Sequence, residues 1–244
     1  MISFLFGKMN IIITGASRGI GASLTKAFAA EGDHRIFIMS RNAENLNVVA
    51  SECKELNPKA EVIPVVADLT VSSDLKSAVN KILASATAVD ILINNAGYAL
   101  RKPFDEFSDE EAELLMNTNF LSPAKLIKLL LPALLKSGDA HVVNISSMSG
   151  YQGSRKFSGM TFYGASKAAL GVLTETLSEE YRGRGVSFNC LAIGAVQTEM
   201  FAEVFAGYEA PVSPEKIAEF IVEFALHAHH CLQGKIIPVS LSDP

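Results

Sequence analysis

Short apolar runs alternate along the chain with longer stretches in which apolar positions return every three or four residues. The runs fall at Asn10–Thr14, at Arg35–Ser40, and at residues 61–67, 90–94, 140–146, 186–192 and 235–239. Several are unbroken in Ile, Val, Leu and Phe, the pattern of strands covered on both faces. Helix-period stretches lie between them at Gly19–Glu31, Ala43–Leu56 and Ser72–Ser85, and at residues 108–136 and 162–182. Strand and helix in alternation, repeated about six times, predict an α/β fold. Its expected form is a doubly wound parallel sheet of about seven strands with helices on both faces. No Gly/Ser/Pro-rich linker or block of charge interrupts the alternation, so residues 1–244 are read as a single domain.

Composition narrows what such a domain acts on. Hydrophobic residues make up 49% of the 244 and charged residues 19%, which suits a large core and argues against disorder. Twenty-one Lys and Arg against 26 Asp and Glu give a net charge of −5, with no basic excess to hold nucleic acid. Cys53, Cys190 and Cys231 are widely spaced and odd in number, which predicts buried, inert thiols in a reducing compartment rather than a disulfide framework. Residues 1–9 are apolar but short, with only Lys8 charged and no small-residue cleavage site, so they are not read as a signal peptide. No apolar run reaches the ~18 residues that span a bilayer. A soluble, cytoplasmic protein with no membrane or nucleic-acid partner is expected.

In an open sheet of this kind, ligands bind beyond the carboxyl ends of the strands, so the turns after each run matter most. The first is Thr14-Gly15-Ala16-Ser17-Arg18-Gly19-Ile20-Gly21. Three glycines between a strand and a helix let the backbone turn tightly and approach a pyrophosphate, whose charge meets the helix N-terminus. Their spacing is Gly-x-x-x-Gly-x-Gly rather than Gly-x-Gly-x-x-Gly. Asn94-Asn95-Ala96-Gly97 follows the fourth run, Ser147-Met148-Ser149-Gly150 the fifth, and Tyr163-x-x-x-Lys167 opens a long helix. With these motifs the chain resembles the short-chain dehydrogenase/reductase family over nearly its whole length. The resemblance implies a Rossmann-like fold and hydride transfer between a nicotinamide cofactor and a carbonyl or alcohol.

The end of the second strand is where NAD and NADP are told apart: an acid bonds the ribose hydroxyls, whereas a 2′-phosphate needs cations. This chain offers Ser40-Arg41 and no acid there, with Arg18 in the glycine turn. Two guanidiniums can fork onto one phosphate, so NADP(H) is the expected cofactor. Asp68 suits a turn or helix cap by residue type, while the resemblance places it, with Leu69, at the adenine. Asn95, Ala96 and Gly97 are implied to line the adenosine ribose and hold the central sheet.

Tyr163 and Lys167 are four apart and project from one helical face. A phenol is a poor acid–base catalyst at neutral pH, and a neighbouring ammonium is expected to favour the phenolate. The resemblance implies that Tyr163 protonates the substrate oxygen in reduction, that Ser147 donates a hydrogen bond to it, and that Lys167 holds the nicotinamide ribose. Ser147 is preferred to Ser146 because the family's serine precedes x-x-Gly. In Asn117-Thr118-Asn119-Phe120, Asn119 matches the family's helical asparagine, which anchors a water in a proton relay. Asn117 competes on residue type, and a helix kink is the structural alternative. After the sixth run, Gly194, Val196 and Thr198 match the loop that holds the carboxamide, although Ile193 stands where the family has a rigid proline.

The C-terminal run ends in Pro238-Val239-Ser240 and a short acidic stretch instead of Val-Asp-Gly-Gly. In this it resembles the sepiapterin-type, small-carbonyl branch more than the branch holding 3-oxoacyl-carrier-protein reductases. His227, His229, His230 and Cys231 crowd the expected end of the last helix, and His227, His230 and Cys231 can share a face. Cations complement a helix C-terminus, so no metal is expected. The loop at 151–161 and the segment at 199–214, with Phe201, Val204, Phe205 and Tyr208, are expected to form an apolar pocket and its lid.

The expected function is that of an NADP(H)-dependent oxidoreductase acting on a small-molecule carbonyl or alcohol. One alternative is a 3-oxoacyl thioester reductase, for which Arg101 and Lys102 are the only basic candidates at the pocket mouth. The other is a catalytically idle NADP(H)-binding sensor, against which Ser147, Tyr163 and Lys167 together argue. The helices at 108–136 and 162–182 carry more apolar residues than one sheet face needs, which predicts a homodimer or homotetramer.

Overall fold

Ile11, Ile12 and Ile13 are all fully buried, which a strand achieves only when both of its faces are covered. They belong to β1 (Asn10–Thr14) in the computed structural model, which describes residues 7–241. The other strands are β2 (Arg35–Ser40), β3 (Glu61–Val66), β4 (Ile91–Asn94), β5 (Ala140–Ser147), β6 (Val186–Ile193) and β7 (Ile236–Val239). All pair in parallel in one sheet, ordered β3-β2-β1-β4-β5-β6-β7. The expected doubly wound, Rossmann-like sheet is therefore present. Its order reverses between β1 and β4, so a crevice opens beyond their carboxyl ends. Pro64 and Pro238 both fall on the outermost strands, where a missing ladder donor is tolerated.

The helices are α1 (Gly19–Glu31), α2 (Ala43–Leu56), α3 (Ser72–Ser85), α4 (Asp109–Met116), α5 (Ser122–Ser137), α6 (Thr161–Glu180), α7 (Glu199–Val204) and α8 (Pro214–His227). Alternate residues of the central strands feed two cores. Ile11, Ile13, Ile36 and Ile38 meet α1, α2 and α8 on one face. Ile12, Phe37, Met39 and Leu92 meet α3 and α5, with α6 against the margin, on the other.

The helix expected over 108–136 is interrupted. A capping box of Ser108 and Glu111 starts α4, and a π-turn (Asn117–Leu121) then separates it from α5. The Ser122 N–H reaches Asn117 O, five residues back, and widens the helix there.

Cys53 and Cys190 are buried, and burial pushes each thiol up to about 11, so both stay protonated. Cys231 departs from the expectation of buried thiols: it follows the turn after α8 and is exposed. Among the described residues no helix is long and apolar enough to cross a membrane. Residues 1–6 of the apolar N-terminal stretch and 242–244 of the acidic end lie outside the described residues.

Candidate active site

The turn after β1 rests on two glycines with left-handed backbone, Gly15 (φ 67°) and Gly19 (φ 52°). A Cβ on Gly21 would lie 2.2 Å from Gly15 O, and one on Gly15 would lie 2.7 Å from Ala96 Cα, so neither position admits a side chain. Asn95 locks this turn to the end of β4. Its Nδ2 donates to Thr14 O at 2.9 Å and Gly15 O at 3.3 Å. Thr14 Oγ1 accepts from the N–H groups of Asn95 and Ala96, each at 3.0 Å. The first turn of α1 has no acidic residue and no side-chain cap, which leaves its N–H groups for an anion. Ser17, Arg18 and Gly19 line a groove of about 670 Å³ there, while Ile20 packs into the core.

Across the crevice, Ser147 ends β5, Tyr163 and Lys167 occupy the first two turns of α6, and Asn119 sits in the π-turn. Tyr163, Lys167 and Asn119 are buried. Ser147 Oγ accepts from the Ser149 N–H at 3.1 Å and is hydrogen-bonded with the Tyr163 phenol. Ser146 faces away and donates to Lys167 O at 2.8 Å. Lys167 Nζ donates to Ile145 O at 2.9 Å and lies 5.9 Å from the centre of the Tyr163 ring.

Asn119 Oδ1 accepts from the Tyr98 N–H at 2.8 Å, and its Nδ2 donates to Tyr98 O at 2.9 Å and Ser166 Oγ at 3.0 Å. Ser166 in turn donates to Tyr163 O at 2.7 Å. A Cβ on Gly97 would lie 3.4 Å from both Asn119 Oδ1 and Lys167 Nζ, so the absent side chain leaves a gap between them. Asn117 contributes its carbonyl, which accepts from Ser122 Oγ at 2.7 Å.

Burial lowers Lys167 to about 8, with a small opposing pull from Cys190. Burial raises Tyr163 above the ordinary phenol value, and the Ser147 hydrogen bond opposes it. The expectation that the neighbouring ammonium lowers Tyr163 is thus corrected. Lys167 Nζ is turned to a backbone carbonyl, and the cost of desolvating a phenolate dominates.

At the end of β2, Ser40 Oγ accepts from the Asn42 N–H at 3.2 Å as the chain turns into α2. The Arg41 side chain is 78% exposed and lies 3.8 Å from Asp68 Oδ2. Asp68 Oδ1 accepts from the N–H and Oγ1 of Thr70 at 2.9 and 2.6 Å. Burial raises the Asp68 carboxyl, but the two Thr70 bonds and Arg41 together hold it below its ordinary value. Arg18 lies 3.6 Å from Glu203 of α7. Leu69 O accepts from Ser122 Oγ at 2.9 Å, which ties this turn to the start of α5.

On the far side, a Cβ on Gly194 would lie 2.6 Å from Ser240 Oγ. Val196 is buried and bridges to Val212. Thr198 caps α7 by accepting from the Phe201 N–H at 3.1 Å, and its Cγ2 lies 3.3 Å from where a Gly19 Cβ would be. Ile193 pairs with Ser147 on one side and Val239 on the other, so a ladder on both sides restrains the position where a proline was expected.

Tyr163 opens onto an apolar cluster with Leu115 and Met160, against which Leu100, Phe162, Val204 and Phe205 pack. Phe205 meets the ring of Phe157 edge-on at 6.0 Å and stacks on Phe201 at 5.2 Å, which joins the 151–160 loop to α7 at the rim. Tyr208, expected in the lid, is 70% exposed. Arg101 covers the Phe205 ring at 5.1 Å, whereas Lys102 pairs with Glu111 at 2.8 Å, so Arg101 is the more available cation. Sequence reasoning missed Ser166 and Tyr98. A hydroxyl three residues after Tyr163 was a usable signal for the first. Tyr98 acts through its backbone, which leaves no trace in residue type.

A family model described as short chain dehydrogenase matches residues 9–209. A fatty acyl-CoA reductase of Acinetobacter baylyi is 34% identical over 216 residues, covering 86% of this chain and 70% of that protein. A 3-oxoacyl-[acyl-carrier-protein] reductase of Thermotoga maritima is 29% identical over 245 residues, covering 96% of this chain and 97% of that protein. Among solved structures, a variant actinorhodin polyketide ketoreductase with NADPH superposes with a TM-score of 0.86 at 25% identity, covering 96% of each chain.

Proposed function

The chain belongs to the short-chain dehydrogenase family, and from that premise we propose that it reduces a carbonyl, or oxidises the matching alcohol, using NADP(H). The observation that carries this reading is the convergence of Ser147, Tyr163, Lys167 and Asn119 opposite the glycine turn. Gly15, Ser17, Arg18, Gly19, Ile20 and Gly21 fit a pyrophosphate, since the α1 N-terminus is uncapped with no acid in its first turn and the glycines let the turn close tightly on Asn95 and Ala96. Ser40, Arg41 and Arg18 take the 2′-phosphate, which displaces the carboxylates of Asp68 and Glu203 from the two arginines. Asp68 and Leu69 border the adenine, Asn95, Ala96 and Gly97 its ribose, and Gly194, Val196 and Thr198 the carboxamide. The NADPH held by the structurally similar ketoreductase supports the choice of cofactor.

When bound, NADPH supplies the hydride that reaches the carbonyl carbon. Tyr163 Oη gives its proton to the carbonyl oxygen, so the product is the alcohol and Tyr163 is left as the phenolate. Ser147 Oγ donates a hydrogen bond to the same oxygen as negative charge builds on it. Lys167 holds the nicotinamide ribose, and the gap beside Gly97, between Lys167 Nζ and Asn119 Oδ1, is the route by which the proton is replaced. Oxidation of an alcohol runs these transfers in reverse.

A 3-oxoacyl thioester is a second reading of the substrate. It is supported by the names of the two relatives and by the apolar surface beside Tyr163. We propose with the first reading a cytoplasmic, single-domain homo-oligomer acting on a small-molecule carbonyl or alcohol.

The test is NADPH consumption across ketones, diketones, pterins and 3-oxoacyl thioesters, with NADH in parallel. Tyr163→Phe is expected to lower kcat by at least about 100-fold while NADPH binding, read by fluorescence, is retained. Undiminished turnover in that variant overturns the assignment. Tight NADPH binding with no turnover of any substrate favours the idle sensor instead.

A further inference from the structure

Asp139 precedes β5, and His229 and His230 lie in the turn (Ala228–His230) that follows α8, at the end of the sheet opposite the crevice. We propose that these three side chains bind one divalent metal ion of the zinc class. One donor atom from each lies within 4.8 Å of the other two. His229 Nε2 is 3.5 Å from Asp139 Oδ1, near the ~3.3 Å edge between two ligands of a tetrahedral site with bonds of about 2.0–2.1 Å. The His229 and His230 rings lie 4.0 Å apart.

A second observation is independent of that spacing. The His229 side chain is only 8% exposed, and its Nδ1 is buried with no hydrogen-bond partner. The nitrogen turned to Asp139 is Nε2, so this buried imidazole, held beside a second imidazole and a carboxylate, presents Nε2 to the ion.

The surroundings position the set. His229 packs on the ring of His141 at 4.9 Å. His141 is itself held by Ala225 O at 2.9 Å and by Asn189 Nδ2 at 3.0 Å. Because Asn189 Nδ2 is a donor, His141 Nε2 is the acceptor and its Nδ1 carries the proton. A cleft of about 290 Å³ opens onto Asp139, His229 and His230 and leaves room for a water ligand. The other groups in its wall are engaged: Asp90 accepts from the Asn10 N–H and from Ser137 Oγ, and Lys8 pairs with Glu61. His227 faces Glu223 at 3.6 Å and Cys231 is exposed, so the grouping suggested by helical spacing is not the one assembled.

Two imidazoles and one carboxylate favour zinc, nickel or copper over magnesium or calcium. A bound ion would clamp the α5–β5 connection to the α8–β7 connection.

Zinc chloride titrated calorimetrically into the chelator-stripped full chain is expected to bind at one ion per chain and to raise the melting temperature. Asp139→Asn and His230→Gln, both at exposed positions, are each expected to weaken binding by at least about tenfold and to abolish the thermal shift. Cys231→Ser is expected to change neither. Absence of stoichiometric binding, unchanged affinity in the Asp139 and His230 variants, or loss of binding in Cys231→Ser overturns the proposal. Unfolding of each variant without zinc separates a fold defect from a lost ligand.

Discussion

Two buried titratable side chains share the inner face of α6, and burial moves them in opposite directions: Lys167 falls to about 8 while Tyr163 rises. As pH increases, the ammonium is therefore the first of the two to lose its proton. Reduction needs Tyr163 protonated and Lys167 charged, so kcat/KM is expected to fall on an alkaline limb near pH 8 that belongs to Lys167. Arginine stays charged throughout that range, and in Lys167→Arg the limb moves upward. A limb above pH 10 in the unaltered protein assigns it to Tyr163 instead. At the rim, Arg41 is mostly exposed and has a carboxylate rather than a phosphate beside it. Losing a charge-assisted contact costs about 1.5–3 kcal/mol, so Arg41→Ala is expected to weaken NADPH binding by roughly 10- to 100-fold and leave NADH nearly unchanged. Equal effects on both cofactors refute the phosphate role. Arg41 was legible because its place after β2 defines the job, and Ser147 because of its register before x-x-Gly. The direction of the Tyr163 shift was not, since four-residue spacing brings Lys167 near without revealing that Nζ turns to Ile145 O.

The strands and α1, α2 and α3 were legible almost to the residue, because buried parallel strands and half-buried helices leave different periods in the sequence. The π-turn was not. Asn117-Thr118-Asn119 is polar, but polar residues also separate the apolar positions of a regular helix, and a five-residue hydrogen bond has no signature in residue type. Yet this turn carries Asn119 to both backbone groups of Tyr98 and to Ser166, and so links the strand-end segment after β4 to the catalytic helix. The kink and the relay role, weighed as alternatives for Asn119, meet in one element. Asn119→Ala leaves these partners unpaired in the interior, at about 1–3 kcal/mol for each group left unsatisfied. Urea unfolding is expected to show a loss of at least about 2 kcal/mol, with turnover falling as well. A change within about 0.5 kcal/mol, the range of ordinary surface substitutions, contradicts that linking role.

At the scale of the whole molecule, α4 and α6 pack against each other and both turn apolar residues outward. Leu114 is 42% exposed on α4, Leu121 38% at the end of the π-turn, and Val172 60% on α6. Apolar side chains left on neighbouring helices mark a surface that a partner covers, and an isologous pairing of two chains covers it on both at once. The excess of apolar positions along these helices was already visible in the sequence, whereas which of them point outward was not. Since the opposite face of α6 carries Tyr163 and Lys167, an interface on its outer face would also restrain the catalytic helix. Light scattering at micromolar concentration is therefore expected to give at least twice the 26.1 kDa of one chain. Val172→Glu places a charge in the interface, where desolvating it is costly, and is expected to return the protein to single chains with lower kcat and unchanged helix content. A native protein that scatters as one chain refutes the oligomer. A dimer that Val172→Glu leaves intact places the interface elsewhere.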